Sequence, residues 1–316
     1  MKKIILFIIA GFMFILGACS SRNTSNEFDT FDKAVSNLDS YSLTANMTIY
    51  KFDKEINADI KVDYLKPDFY KVVFKTQNSN EQIIVKNKEG VFVITPSINK
   101  QFKFDSEWPL NSSHAYLIDA VWKDIKKDSN LEYKVNGNIL SIEATISDSK
   151  ISKIKMDIDI KNNKPLTAEF YDSNNDKRIY VVFKEFKVNP KLSEDIFNQN
   201  IILNEQTEGN VSTELELSVT VGYVCEGTRL VSKKLDTESV IMVYEGEFNY
   251  TIIINKLDDN NSLIQAATEL DILESGLVLY NKNVTRYYIQ DVEVSIYSKS
   301  LDLDTVCNIL SQLVIC

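Results

Sequence analysis

One histidine, His114, serves the whole 316-residue chain, and that scarcity removes most hydrolytic and metal-dependent schemes at once. A triad or a metal centre needs imidazoles or clustered cysteines beside their partners. His114 has no nucleophile motif near it and reads as a surface or capping residue. G-x-S-x-G, H-E-x-x-H and a phosphate-binding glycine loop are also missing. No catalytic residue is assigned, the chain is expected not to be an enzyme, and neither a cofactor nor a metal is expected. The four cysteines, Cys19, Cys225, Cys307 and Cys316, lack zinc-site spacing. Positive charge is short as well: 35 Lys and Arg against 45 Asp and Glu leave a net charge of −10, which argues against nucleic acid as a partner. Beyond residue 18 no stretch approaches membrane-spanning length.

What is present begins at the N-terminus. Lys2 and Lys3 lead the uncharged stretch Ile4 to Leu16, and Leu16-Gly17-Ala18-Cys19 closes it. A basic head, a short apolar run and small residues before a cysteine have the parts of an export signal. Together they resemble a bacterial lipobox, with cleavage between Ala18 and Cys19 and lipidation of Cys19. In that pathway diacylglycerol is joined to the thiol and a further acyl group, such as palmitate, to the new amine. Two or more chains hold a protein stably on a membrane, so the expected location is the extracytoplasmic face of the cell membrane. Removing residues 1–18 leaves 298 residues with a charge of about −12. Such a body is repelled by anionic lipid and depends on its anchor. The tether, residues 19–27, reaches about 25 Å at most. With Cys19 committed, an odd number of cysteines remains. Three plain thiols are expected, with Cys225–Cys307 as the candidate disulfide. The abundance of Asn, Lys and Ile resembles low-GC Gram-positive composition.

Phe28, Phe31, Val35 and Leu38 recur at intervals of three and four and predict a short helix with one apolar stripe. From Tyr41 to Val188, period-2 runs such as Ile56–Val62 and Ile154–Ile160 alternate with polar turns, the pattern of an antiparallel meander with one buried face. Pro109 to Lys127 has mostly helical spacing and suits a helix plugging the concave side of a curved sheet. Residues 204–214 read as a linker. A second unit, 215–316, carries a hairpin of Val240–Tyr244 and Tyr250–Ile254, strands at Leu277–Tyr280, Tyr287–Ile289 and Val292–Tyr297, and a closing helix. That helix has Asp302 or Asp304 as its cap and Val306, Ile309, Leu310 and Leu313 as its apolar face. Asp172-Ser173-Asn174-Asn175-Asp176 starts like a calcium loop, but Lys177 and Phe183 stand at its sixth and twelfth positions, so it reads as a hairpin turn. Asp157 and Asp159 share one strand face with Lys155 and Lys161 close by and read as a wet sheet surface.

Residues 28–203 resemble the LolA/LolB-like lipoprotein carriers. The likeness rests on Leu65-Lys66-Pro67-Asp68-Phe69-Tyr70-Lys71-Val72, on Asn87-Lys88-Glu89-Gly90 with its strand to Pro96, on Lys164-Pro165-Leu166, and on Phe183-Lys184-Glu185-Phe186. It extends to the sporulation and germination lipoproteins of GerS and YdcC type, whose small second domain resembles residues 215–316. It implies an α+β fold, a curved antiparallel half-barrel covered by helices and followed by a smaller α+β domain. It also implies binding rather than catalysis. Tyr64, Phe69, Val73, Phe92, Ile94, Phe102, Trp108, Tyr116 and Trp122 could line an acyl-lipid pocket or fill an ordinary core, and the filled core is expected because a cavity leaves contacts unmade. The leading expectation is a membrane-anchored lipoprotein that binds and regulates or positions an extracytoplasmic protein partner in sporulation, germination or envelope maintenance. A lipid carrier or acceptor and an anti-sigma-type sensor stand as alternatives.

Overall fold

Alternating apolar residues between Tyr41 and Val188 give eleven strands in the computed structural model, which describes residues 24–77, 79–104, 108, 114–147, 150–205, 219–236, 238–257, 263–289 and 292–315. Ala18, Cys19, the start of the tether, Pro109, Leu110, residues 206–214 and Cys316 lie outside the described residues. Strands β1 (Ser40–Lys51), β2 (Lys54–Leu65), β3 (Phe69–Thr76), β4 (Gln82–Asn87), β5 (Gly90–Thr95) and β6 (Lys100–Phe104) form one meander. β7 (Glu132–Asn136), β8 (Ile139–Thr145), β9 (Lys153–Asp159), β10 (Lys164–Tyr171) and β11 (Lys177–Val188) form another. The two meanders join where β1 pairs antiparallel with β11, Tyr41 opposite Val188 and Ile49 opposite Ile179.

Helix α1 (Thr24–Ser36) buries Phe31 and Val35, with Leu38 just beyond its end. The apolar stripe thus lies where its spacing places it. Helix α2 is shorter than its expected span, running Ile118–Ile125 and burying Ile118, Val121, Trp122 and Ile125. Tyr116 precedes its first turn. The helices meet through aromatic rings: Trp122 lies 5.2 Å from Phe28 and 4.8 Å from Phe31, and Phe28 stacks on Tyr133 of β7 at 5.1 Å. The other face of β3, β4 and β5 is covered by a 3-10 turn, Glu194–Phe197, and helix α3 (Gln199–Glu205), which bury Phe197, Ile202 and Leu203.

A second sheet has the order β13 (Thr228–Leu235), β14 (Ser239–Gly246), β15 (Tyr250–Lys256), β20 (Val292–Ser298), β19 (Val284–Ile289), β18 (Gly276–Tyr280), β17 (Glu269–Leu273). β16 (Leu263–Ala267) leaves this run and pairs parallel with β6 as an edge of the large sheet. Helix α4 (Leu303–Ser311) is capped by Asp302, whose carboxylate accepts the Thr305 N–H at 2.8 Å. Leu313, expected on that helix, instead starts β21 (Leu313–Ile315), because the helix ends at Ser311 and the chain pairs with β12 (Val219–Val221). The architecture is α+β: open, mostly antiparallel sheets with a few helices packed on them.

Candidate functional site

Because successive strand residues point to opposite faces, the nine aromatic and apolar candidates separate. Tyr64, Phe102, Trp108, Tyr116 and Trp122 belong to the core on the α1–α2 side of the large sheet. Phe69, Phe92 and Ile94, with Val73 packed against them, lie on the opposite face under Phe197 and α3. The side that carries α1 and α2 is packed: Trp122, Tyr116, Tyr41 and Phe31 are each 0–1% exposed. Trp122 donates its indole N–H to Asp32 at 2.8 Å, and Tyr116 packs edge-on against Phe74 at 4.9 Å.

One carboxylate organises the tyrosines of this core. Asp119 at the start of α2 accepts the Tyr41 hydroxyl at 2.6 Å and the Tyr70 hydroxyl at 2.5 Å. Tyr64 lies between them, 5.1 Å from Tyr41 and 4.9 Å from Tyr70. Burial and then the Asp119 charge push the Tyr41 and Tyr70 phenols well up, and the same two causes bring Tyr64 to about 12. These hydroxyls therefore act as hydrogen-bond donors and not as bases.

A cleft of about 480 Å³ lies where the large sheet meets β17, β18 and α4. Its floor is apolar, with Met47, Phe74, Ile84, Phe104, Trp108, Tyr116, Ile179 and Leu277. Its rim is charged: Lys51, Lys150 and Arg178 alternate with Asp172, Asp271 and Asp304. Lys51 bonds Asp271 and lies 3.7 Å from Asp304, which is 3.8 Å from Lys150. Burial alone would lower the Lys51 ammonium, but Asp271 and Asp304 outweigh it and hold it above its ordinary value. Cys307 turns its thiol to Asp271 at 3.6 Å, and burial, followed by Asp271, pushes that thiol well up. Among the described residues, the buried indole N–H of Trp108 has no hydrogen-bond partner. A volume of this size suits a ligand or an anchoring side chain. Two of the nine candidates, Trp108 and Tyr116, line it.

The polar candidates are taken up locally. The His114 Nε2 lies 2.8 Å from Asp124, which also pairs with Lys127 at 2.7 Å. Asp172 closes its own turn, accepting the N–H groups of Asn174 at 2.9 Å and Asp176 at 3.0 Å and the Arg178 side chain at 2.7 Å. Asp157 accepts the Ser141 hydroxyl at 2.7 Å, whereas Asp159 accepts from Asn162 at 2.7 Å and holds its own turn. Cys225 and Cys307 are buried free thiols. Among the described residues no group of three or more His, Cys, Asp or Glu could hold a metal ion, and no helix is long and apolar enough to cross a membrane. Lys51 and Asp271 escaped sequence reasoning because they are 220 residues apart and ordinary in their local patterns.

A family model described as sporulation protein YdcC-like matches residues 1–197. The sporulation protein YdcC of Bacillus subtilis (strain 168) is 27% identical over 277 residues, covering 81% of this chain and 80% of that protein. Among solved structures, the MucA/MucB complex of Pseudomonas aeruginosa contains a chain that aligns with 92% of this one over 98% of its own length, at 9% identity and a TM-score of 0.34. A LolA superfamily protein from Nitrosomonas europaea aligns with 55% of this chain over 98% of its own, at 14% identity and a TM-score of 0.33.

Proposed function

The chain belongs to the YdcC-like sporulation protein family, and on that premise we propose that it is a lipid-anchored, extracytoplasmic docking protein without catalytic activity. Cys19 holds it on the outer face of the cell membrane, and its folded part binds and positions a protein partner during sporulation or germination. The carrying observation is the packed face beneath α1 and α2. A shuttle for acyl chains needs an apolar interior that is open throughout, and here Trp122, Tyr41 and Phe31 fill the part beneath α1 and α2, while Tyr116 borders the cleft. A short tether of about 25 Å also favours a stationary receptor over a carrier.

Capture from membranes of sporulating cells, with cross-linking, tests the proposal. Recovery of a discrete envelope protein supports it; recovery of acyl lipid with no protein sinks it. The cleft favours a second reading, a fixed acceptor for one acyl group, because its floor is apolar. Mass spectrometry of lipid extracted from the purified protein separates the two readings.

A further inference from the structure

Among the described residues, strand β13 has β14 as its neighbour on one side and an open edge on the other. Its side chains are exposed from Arg229 to Leu235, and three of them are large and apolar: Leu230 at 46%, Val231 at 42% and Leu235 at 59%. The same seven residues hold Arg229, Lys233 and Lys234, on a chain whose net charge is −10. Among the described residues no carboxylate comes within ion-pair distance of these three cations, although Glu245 stands opposite Arg229 in the register. The Lys233 ammonium reaches the Val219 carbonyl at 3.0 Å.

The register sorts these groups by face. Leu230, Lys233 and Leu235 lie opposite the buried Tyr244, Met242 and Val240, while Arg229, Ser232 and Lys234 lie opposite Glu245, Val243 and Ile241. One face therefore continues the core of the small sheet outward and the other presents two unpaired cations. Lysine on an edge strand ordinarily guards against aggregation. A guard has no use for exposed apolar neighbours, and Leu230 and Leu235, with Lys233 between them on the same face, give a further strand apolar surface on which to pack.

We propose that the open edge of β13 receives an extended acidic segment of the protein partner as an added strand. Its carboxylates lie over Arg229 and Lys234, and its apolar residues continue the row of Leu230 and Leu235. This inference rests on the docking role proposed above and assigns it a surface. Backbone pairing supplies affinity and the cations supply selection. A second copy fits poorly, because antiparallel pairing of two β13 edges gathers six cations in two strands. A membrane fits poorly too: lipid tails cannot satisfy open N–H and C=O groups.

Fluorescence anisotropy with the full-length chain in detergent micelles tests this, using a labelled ten-residue peptide of alternating Glu and Val. The acidic peptide binds saturably and its Lys–Val counterpart does not. The double variant Arg229→Gln, Lys234→Gln, whose substitutions are exposed and set no new carboxylate opposite Glu245, weakens binding at least tenfold with an unchanged melting temperature. N-methylating one alternate set of peptide residues abolishes binding while methylating the other set preserves it, since a strand pairs through one edge. Failure of the acidic peptide to bind, unchanged affinity of the double variant, or equal binding of both methylated sets overturns the proposal. So does recruitment to phosphatidylglycerol vesicles, or self-association, that the double variant loses. In the membrane capture experiment, equal recovery of a partner by wild type and double variant defeats this surface and leaves the docking role standing. Recovery of lipid alone defeats the docking role itself.

Discussion

Gln82 and Leu277 tie the two sheets together: the buried Gln82 side chain accepts the Leu277 backbone N–H at 2.5 Å across 195 residues of chain. Thr76 makes a parallel tie, donating its hydroxyl to the Glu274 carbonyl at 2.5 Å. Between these contacts sits Gly276, with φ +133° and with Gln82 Oε1 only 2.5 Å from where a Cβ would stand. Gly276→Ala is expected to cost about 1–3 kcal/mol, from backbone strain and the clash together. Gly137→Ala, at φ +62° with nothing within 4 Å, is the control and loses about 1 kcal/mol. Urea denaturation of both variants measures the difference; equal losses would show that the seam tolerates the methyl group.

Asp119 serves two buried hydroxyls, so Asp119→Ala leaves the Tyr41 and Tyr70 donors without their acceptor. Hydrogen bonds to charged groups contribute about 1.5–3 kcal/mol each and shared partners are not additive, so a loss of about 3 kcal/mol is expected. Asp119→Asn, which keeps one acceptor oxygen, loses less. Equilibrium unfolding ranks the three proteins.

Acid should weaken the packing of α1 and α2. Burial opposes the shift at Asp32, but Lys126, Trp122 and Ser36 outweigh it and hold its carboxyl below the ordinary 3.8; at Asp124 burial is likewise outweighed, by His114 and Lys127. A carboxyl lowered in the folded state gives stability that is complete above the unfolded value and disappears as pH falls through the folded one. Unfolding midpoints should therefore fall below about pH 4. Asp32→Asn should flatten part of that fall, and a variant that tracks wild type throughout would remove Asp32 as a contributor.

Cys19→Ala removes the thiol that the lipid would occupy. The variant is expected to leave the membrane fraction or to persist with residues 1–18 attached, read by fractionation and intact mass. Normal processing with unchanged membrane association would rule out lipid attachment there.

Much of the large sheet was legible in the sequence because period-2 alternation is a local property. Ile56–Val62 falls in β2, Ile154–Ile160 falls in β9 except for Ile160 in the turn after it, and the hairpin of Val240–Tyr244 with Tyr250–Ile254 lies in β14 and β15. Elements lacking such alternation were not legible. β13 is exposed along nearly all its length and carries no burial pattern to read, and β16 finds its partner β6 more than 150 residues away. Of the helix read over Pro109–Lys127, the described residues from His114 on are α-helical over Ile118–Ile125, since apolar spacing alone does not say where backbone hydrogen bonding starts.

Composition and near neighbours carry the chemistry at hand: a single histidine, an acidic body, a lipobox-like N-terminus and a sheet-forming pattern. Which face each aromatic occupies, and what lies on it, was decided in three dimensions. Phe92 and Tyr64 look equivalent in the chain, yet one packs under Phe197 and the other stacks on Tyr41. The cleft, its Lys51–Asp271 pair and the open edge of β13 arise from contacts and exposures between segments far apart in sequence. Local periodicity cannot encode them, because they depend on how two sheets meet.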